Sequence, residues 1–350
     1  MLAIEILVAS LFISRLSAGS GSRLGLVDHP DDRKHHIGAI PLTGGIAIFL
    51  TIVFGTMVLD IQPYTQPALA IALAVFLVGL FDDLRHINPW VRLGIQYGAG
   101  IALATVGGIA IVNVGNLLAM GDIPLLLLTV PLTTLSIVGR ANAYNKIAGI
   151  DGLAASLIGL PLLALYLLAL QAGHPGANTL LLMLIPIGVF LLFNLGPNNA
   201  LLPKMFLGDG GSVTMGFLVT ASLVFFSQGD NALILPVTAL WLVTVPLMDM
   251  LATMLRRAKN GKKLMEADRW HLHHTLQDLG LGPRQALVVM LTYGVLAAAL
   301  GLALEAIPEY LSLACYFGLF VVHCLFIIRS DRKINPASST WMQDASGDQA

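Results

Sequence analysis

The chain has 350 residues, of which 56% are hydrophobic and 11% are charged, and its formal net charge is −1. Soluble domains carry about 25% charged residues, so this composition excludes an assembly of soluble domains and predicts one membrane-embedded domain. A net charge this close to zero gives no indication of a nucleic-acid partner.

Apolar segments follow one another along most of the chain. At roughly 20 residues per crossing they predict an all-α polytopic membrane protein with about eleven transmembrane helices. The first segment carries Glu5 and lacks a basic start, so we expect a retained span and not a cleaved signal peptide. The spans are expected to centre near Leu11, Ile52, Val75, Ala102, Thr129, Leu163, Ile187, Leu223, Trp241, Leu296 and Phe320.

The C-terminal part of the sequence indicates the domain boundary and the state of the cysteines. We expect residues 1–333 to form a single membrane domain and residues 334–350 to form a polar, disordered tail. The two cysteines, Cys315 and Cys324, both lie in the last apolar segment. This position argues against a disulfide framework.

The distribution of positive charge predicts the orientation. Every Lys and Arg except Arg15 falls in alternate loops, whereas the intervening loops contain acids such as Asp60, Asp122, Asp230 and Glu309. The positive-inside rule assigns the basic loops to the cytoplasm, with the N-terminus outside and the C-terminus inside. The reactive side chains fall on the same side, namely Asp82, Asp83, Asp151, Asp209, Asp268, His271, His273 and His274.

The first two basic loops contain clustered polar residues. The sequence DHPDDRKHH (28–36), followed by IPLTGG (40–45), is expected either to close over a site or to bind anionic headgroups. After the third span, GLFDDLR (79–85) brings Asp82 and Asp83 together. Adjacent carboxylates repel unless a cation or a proton is shared between them, so the pair indicates a metal or cationic group. A helix end that meets water would also accommodate it.

Two later motifs indicate phosphate and metal chemistry. In NAYNKIAGIDGL (142–153), Asn and Asp oxygens suit a hard cation such as Mg²⁺, although a helix-breaking turn uses the same residue types. In KMFLGDGGS (204–212), Asp209 precedes two glycines at the start of an apolar helix. Backbone N–H groups there can bind phosphate. Alternatively, Asp209 or Ser212 caps the helix.

The longest basic loop ends in DRWHLHH (268–274). His271 and His274 are three residues apart and could share one helix face. Zinc is disfavoured because no Cys or nearby Glu completes a tetrahedral set. Arg269 and the histidines are instead expected to hold phosphates or to hydrogen-bond a polar ligand. Asp249, in PLMDM (246–250), is expected to face the helix bundle as a structural or supporting residue.

Taken in this order, the motifs resemble those of the polyprenyl-phosphate N-acetylhexosamine-1-phosphate transferases, and most closely the bacterial members that use undecaprenyl phosphate and a GlcNAc donor. The resemblance extends from Asp28 to about Ala286. It rests on RKHH (33–36), IPLTGG (40–45), FLGDGGS (206–212), PVTALW (236–241), PLMDM (246–250) and DRWHLHH (268–274).

The resemblance implies a reaction and a location. GlcNAc 1-phosphate, or the 1-phosphate of another UDP-N-acetylhexosamine, would pass from its UDP-sugar to undecaprenyl phosphate with release of UMP. Mg²⁺ is the expected cofactor, with Mn²⁺ as the alternative. The enzyme would start a cell-surface polysaccharide such as O-antigen from the bacterial inner membrane, with its site facing the cytoplasm. A homodimer is also expected.

The resemblance also implies residue roles. Asn145 and Asp209 match the metal positions. Asp82 and Asp83, with Arg92, match the side that binds the lipid phosphate, and together with Asp209 they are the expected catalytic carboxylates. The residues that match nucleotide and diphosphate binding are Asp151, Arg269, His271, His273 and His274.

One position departs from the bacterial pattern. Most bacterial members have Asp at the position of Ala148, whereas the eukaryotic dolichol-linked enzyme has Ala there, so activity is still expected. Two other classes compete with this interpretation. A weakened homologue that binds lipid or partners is one. The other is a transporter, which usually binds its solute near the membrane midplane and not at one face.

Overall fold

The computed structural model describes residues 1–29, 38–59, 65–263 and 269–334, with side chains described as far as Ser330. The RKHH segment, Asp60, Asp268 and the tail after Ile334 lie outside the described residues. The helices are α1 (Leu2–Ser20), α2 (Gly44–Met57), α3 (Gln66–Arg85), α4 (Pro89–Thr105), α5 (Thr129–Ile147), α6 (Leu153–Ala172), α7 (Ala177–Leu195), α8 (Gly208–Phe225), α9 (Thr238–Leu242), α10 (Thr244–Lys259), α11 (Leu272–Asp278), α12 (Pro283–Ala303) and α13 (Glu309–Ile334).

The extended structure in the described residues is small. Strand β1 (Val27–Asp28) pairs antiparallel with β2 (Ile40–Pro41), and one isolated bridge joins Asn113 to Pro124. The all-α prediction is therefore confirmed. Both cysteines are free, as expected, and lie in α13.

The protein is a multi-pass membrane protein. Seven helical segments of the described chain are long and apolar enough to cross a bilayer: α1, α3, residues 126–147, α6, α7, residues 283–306 and residues 309–330. Helix α2 is apolar but has only 14 residues. The count of about eleven spans and the sides of the two termini remain predictions.

The fifth predicted span is displaced. Thr129, its expected centre, is the first residue of α5, and residues 106–125 form no helix. Gly108, Gly115 and Gly121 in this stretch have positive φ, and Pro124 has no backbone N–H to donate. The apolar composition therefore did not predict where this helix begins, because the glycines and the proline prevent helix formation before it.

The ninth predicted span is interrupted. Trp241, its expected centre, lies in the short helix α9, and α10 begins just beyond Val243 with Pro246 in its first turn. Proline is tolerated in a first turn because its missing N–H has no intrahelical partner there. Trp241 is fully buried and donates its Nε1–H to the Ser312 hydroxyl at 3.0 Å.

Helix α8 forms the centre of the bundle. Every residue from Gly210 to Val224 is buried, as expected of a helix that is apolar around its whole circumference. It packs chiefly against α3 and α5, and also against α2 and α6. The motif at its N-terminus therefore lies where several helices meet.

Glycines determine how closely those helices approach. A Cβ at Gly45 would lie 2.3 Å from the Gly211 Cα, and a Cβ at Gly79 would lie 2.6 Å from the Gly210 Cα. In membranes, small residues allow this kind of backbone-to-backbone contact. The Gly45 N–H also donates to the Leu207 carbonyl at 2.9 Å. The IPLTGG and FLGDGG motifs are thus a packing pair.

Replacing Gly45 by Ala is expected to lower the free energy of unfolding by about 1–3 kcal/mol, the usual cost of overpacking. The neighbour is backbone and cannot swing away. Thermal unfolding in detergent measures the effect. Gly188→Ala is the matched control, because a Cβ at this helical glycine meets nothing within 4 Å. Equal unfolding midpoints for the two variants would contradict the packing.

Candidate active site

Asp83 joins the end of α3 to the start of α8. Its Oδ1 accepts the Asp209 N–H at 2.8 Å, and its Oδ2 accepts the Gly210 N–H at 2.9 Å. A Cβ at Gly208, where φ is +72°, would lie 2.7 Å from the Asp83 Oδ2. These two N–H groups are therefore engaged by a side chain and do not face a phosphate, contrary to one of the expectations from the sequence.

Arg92, in the first turn of α4, bridges two carboxylates. Its Nη1 donates to the Asp82 Oδ2 and, at 2.9 Å, to the Asp209 Oδ2. The other oxygen of Asp82 accepts the Ile87 N–H at 2.8 Å, which fixes the turn between α3 and α4. One guanidinium thus balances carboxylates from two helices and holds them together.

Asn145 reaches the same carboxylate from the last turns of α5. Its Nδ2 donates to the Asp209 Oδ1 and to the Ser212 hydroxyl, both at 2.9 Å. Arg92 and Asn145 therefore each contact a different oxygen of Asp209. The side chains of Asp82, Asp83, Arg92, Asn145 and Asp209, predicted from separate motifs, are brought together and are called the carboxylate cluster below.

The oxygen donors of the carboxylate cluster suit a hard divalent cation, which takes carboxylate and amide oxygens together with substrate phosphates. The Asp82 and Asp209 carboxylates already face one positive group, the Arg92 guanidinium. In the part of the chain that the structure describes, no group of three or more His, Cys, Asp or Glu forms a metal site. The Asn145 amide presents its NH₂ group to Asp209, so a cation here would need this amide to turn its oxygen inward and would need further ligands from substrate.

Asp151 forms a different pair. Its Oδ2 accepts a hydrogen bond from the Lys204 Nζ, and Lys204 lies just before the segment that leads into α8. The next residue, Gly152, donates its N–H to the Asn194 Oδ1 at 2.6 Å. The sequence alone did not mark Lys204 as a site residue, although it is the first residue of the Asp209 motif.

The three histidines form a row of rings. The rings of His271 and His273 are nearly parallel with centroids 6.1 Å apart, and the His273 and His274 centroids are 4.1 Å apart. His271 and His274, whose spacing would allow them to share one helix face, do not do so, because His271 has extended backbone and precedes the first residue of α11. His271, which precedes α11, and His274, which lies within it, therefore have different neighbours.

His273 packs against the loop between α5 and α6. A Cβ at Gly149 would lie 2.1 Å from its Nε2, so only glycine leaves room for the ring. Within the described residues, neither of its ring nitrogens has a hydrogen-bond partner. Burial lowers the pKa of His273 to about 3, with a further contribution from His274. Its imidazole is consequently neutral near pH 7.

His274 and Arg269 are more open. Burial lowers the pKa of His274, and the positive charge of Arg269 adds to the effect. Arg269 places its Nη2 3.5 Å from the Asp278 Oδ1, with both side chains well exposed. Among the described contacts, Arg269 therefore pairs with Asp278 of α11 and not with the carboxylate cluster.

Asp249 holds the other end of the row. Its Oδ2 lies 2.9 Å from the His271 Nδ1, and its Oδ1 accepts the Leu272 N–H at 2.6 Å. Both side chains are buried. The sequence predicted a structural or supporting role for Asp249 but did not pair it with His271, which lies 22 residues further along the chain.

A groove of about 420 Å³ opens between α4, α5, α9 and α10. Most of its wall is apolar, with side chains that include Leu135, Val138, Leu240, Leu247, Met250 and Leu251. Its polar end contains Asn142, Lys146, Arg257 and His271, from the last turns of α5 and α10 and the start of α11. Several motifs contribute to this groove, through residues such as Asn142, Met250 and His271, but no single motif marks it.

Comparison with known proteins identifies relatives over most of the chain. Residues 65–227 match the family model described as glycosyl transferase family 4. An undecaprenyl-phosphate alpha-N-acetylglucosaminyl 1-phosphate transferase from Yersinia pestis is 34% identical over 93% of this chain and 89% of its own length. Proteins of the same name from Escherichia coli O157:H7 and Pasteurella multocida are 33% and 32% identical over 91% and 89% of this chain, and over 88% of their own length in both cases.

Replacing Asp83 by Asn should lower the free energy of unfolding by about 1–3 kcal/mol. An amide offers one accepting oxygen, so one of the two N–H groups at the start of α8 would face an NH₂ group. Thermal unfolding in detergent measures this loss, with Asp122→Asn in an exposed loop as the control. Lost activity with a control-like unfolding midpoint would instead indicate a purely catalytic Asp83.

Proposed function

The chain belongs to glycosyl transferase family 4, and from that premise we propose that it transfers GlcNAc 1-phosphate from UDP-GlcNAc to undecaprenyl phosphate, with release of UMP. The names of its relatives support the acceptor and the transferred group. The observation that carries the proposal is the carboxylate cluster beside an apolar groove with a basic end. This arrangement suits a reaction between a lipid phosphate and a soluble nucleotide.

The groove supports the choice of a lipid acceptor. Its apolar wall can pack against a polyisoprenyl chain, and its polar end, with Lys146 and Arg257, can bind the phosphate. Lys146 directly follows Asn145, which contacts Asp209. A lipid bound in this way would therefore bring its phosphate to the edge of the carboxylate cluster.

Charge is the main obstacle to the reaction, since both substrates carry anionic phosphates. We propose that Asn145 and Asp209 hold Mg²⁺, for which Mn²⁺ is a chemically similar substitute. When bound, the cation would neutralise phosphate charge during phosphoryl transfer. Arg92 contributes a fixed positive charge at Asp209, and it keeps Asp82 and Asp209 together before substrates arrive.

A general base contributes little to this reaction. The second pKa of a phosphate monoester is about 6, so most of the lipid phosphate is already a dianion near pH 7. Asp83 is held by two backbone N–H groups and therefore serves mainly to position α8. Positioning and charge neutralisation are the effects that this site can supply.

The donor is proposed to bind beside the loop between α5 and α6. Asp151 and His273 both lie along that loop, the former paired with Lys204 and the latter packed on Gly149. The neutral His273 ring offers one donor and one acceptor nitrogen to a nucleotide or sugar. Another UDP-N-acetylhexosamine remains the alternative donor, and a panel of UDP-sugars would distinguish them.

The proposed setting is a bacterial inner membrane, with the site facing the cytoplasm where UDP-sugars are made. The concentration of Lys and Arg in alternate loops supports this orientation. The product would be a lipid diphosphate sugar that starts a cell-surface polysaccharide.

Replacing Asp209 by Asn should reduce Mg²⁺-dependent UMP release to the level seen without Mg²⁺, because the principal carboxylate for the cation is lost. The assay uses purified protein, undecaprenyl phosphate and UDP-GlcNAc. Asp230→Asn, in an exposed turn, is the control. Near-normal turnover of folded Asp209→Asn protein would contradict the metal role.

Replacing Ala148 by Asp should leave the rate of UMP release unchanged or raise it. Ala148 is exposed at the end of α5, so the added carboxylate can be solvated and can approach the proposed donor site. Initial rates at several Mg²⁺ concentrations measure the effect. A complete loss of activity would show that this loop is organised differently from that of the bacterial members with Asp.

A further inference from the structure

Residues 106–128 connect α4 to α5 at the end of the bundle opposite the carboxylate cluster, because α4 runs away from Arg92 and α5 returns to Asn145. Within this connection, residues 112–125 form a hairpin. We propose that the hairpin and the leucines that follow it are a membrane anchor, whose apolar side chains enter the acyl chains of the nearer leaflet. The inference does not depend on the proposed function.

The composition of this connection does not suit an exposed loop in water. Asp122 is the sole charged residue among residues 106–128, and the segment ends in four consecutive leucines. Nevertheless Leu118, Met120 and Leu127 are 66%, 84% and 93% exposed. Clustered exposed apolar side chains of this kind mark an interaction surface.

The backbone of the hairpin is paired across its two arms. The Ile123 N–H donates to the Gly115 carbonyl at 3.1 Å, and the Leu125 N–H donates to the Val112 carbonyl at 2.8 Å. At the tip, the Gly121 N–H donates to the Asn116 Oδ1 at 3.0 Å. These hydrogen bonds form without water.

Two polar side chains from other parts of the bundle pair with further N–H groups. The Gln228 Oε1 accepts the N–H groups of Val112 and Asn113 at 2.9 and 3.1 Å. The Glu309 Oε1 accepts the Asn116 N–H at 3.0 Å. Unpaired backbone groups are costly at the edge of the hydrocarbon layer, so these partners allow the hairpin to approach lipid. They also hold its polar side towards the protein.

The length of α5 places the start of this helix within the apolar layer. Asn145 contacts the Asp209 carboxylate and therefore marks the polar end of α5. Thr129 lies about 24 Å from Asn145 along the helix, which is less than the roughly 30 Å of hydrocarbon in a bilayer. The residues just before Thr129 must therefore lie in or at the hydrocarbon layer on the other side.

Continuity with a span favours lipid over a protein partner. Residues 126–147 are apolar enough to cross a bilayer, and no charged residue occurs between Asp122 and Arg140. Lipid that covers the start of this span also reaches the hairpin that adjoins it. The exposed Asp122 carboxylate needs water or headgroups, so the hairpin backbone lies at the interface and only its apolar side chains enter the acyl layer.

A fluorophore at the tip tests the position of the hairpin. In full-length protein with Cys315 and Cys324 replaced by Ser, Met120→Cys is labelled with the environment-sensitive dye NBD and placed in nanodiscs of phosphatidylcholine and phosphatidylglycerol. The matched control is Asp230→Cys, since Asp230 is exposed in the turn after α8 at the same end of the bundle. Aqueous iodide is compared with lipids that carry a doxyl quencher near the headgroup.

The two quenchers separate the possible surroundings. We expect the lipid quencher to reduce the emission at position 120 several-fold more than at position 230, and iodide to act in the reverse order. Strong iodide quenching at both positions would place the hairpin in water and overturn the proposal. Shielding from iodide without quenching by lipid would indicate a protein partner, such as a second copy of the chain, and would also overturn it.

Photolabelling tests the same proposal without substitutions. A carbene-generating reagent that partitions into acyl chains is activated in vesicles that contain the full-length protein, and peptide mass spectrometry locates the adducts. We expect adducts at residues 117–121 to exceed those at residues 227–237, the connection after α8 at the same end of the bundle, several-fold. Equally low labelling of the two segments would contradict a membrane anchor.

Discussion

The hydrogen bonds from the start of α8 to the Asp83 carboxylate are the interaction on which the site depends. They join α3 to the central helix at the point where glycines bring the two backbones into contact. A helix N-terminus attracts negative charge, and here a side chain supplies it. Asp209, whose own N–H is one of the two donors, is thereby fixed beside Arg92 and Asn145. The carboxylate that we propose as a ligand of the cation is therefore positioned through its own backbone N–H.

Helix α5 connects the two halves of the proposed reaction. Asn145 points to Asp209, and the adjacent Lys146 lines the groove. The loop that follows carries Ala148, packs Gly149 against His273 and pairs Asp151 with Lys204. The positions proposed to bind the cation, the lipid phosphate and the nucleotide therefore all include residues from one short segment, about as long as two helical turns. This proximity is what a direct transfer between a membrane-bound and a soluble substrate requires.

The sequence predicted the helical membrane fold and the side chains that meet at Asp209, because apolar runs and polar motifs in connecting segments are local signals. It did not predict the partners. Nothing local indicates that Arg92 bridges Asp82 and Asp209, or that Asp83 receives two backbone N–H groups. The fifth span was predicted to centre on Thr129, where α5 in fact begins, because glycines and Pro124 prevent the preceding apolar residues from forming a helix. His271 was grouped with its neighbours by spacing, but its contact with Asp249 depends on how α10 packs. No single motif marks the groove, since four helices contribute to it.

In the proposed reaction a sugar 1-phosphate, and not a sugar alone, passes to the lipid. UDP-GlcNAc labelled with ³²P at the phosphorus next to the sugar tests it most directly, in a reaction with purified protein, Mg²⁺ and undecaprenyl phosphate. We expect the label to move completely into the organic phase as a lipid diphosphate sugar, while the released nucleotide is unlabelled UMP. Label that stays in the aqueous phase as UDP, with the sugar in the lipid fraction, would contradict it.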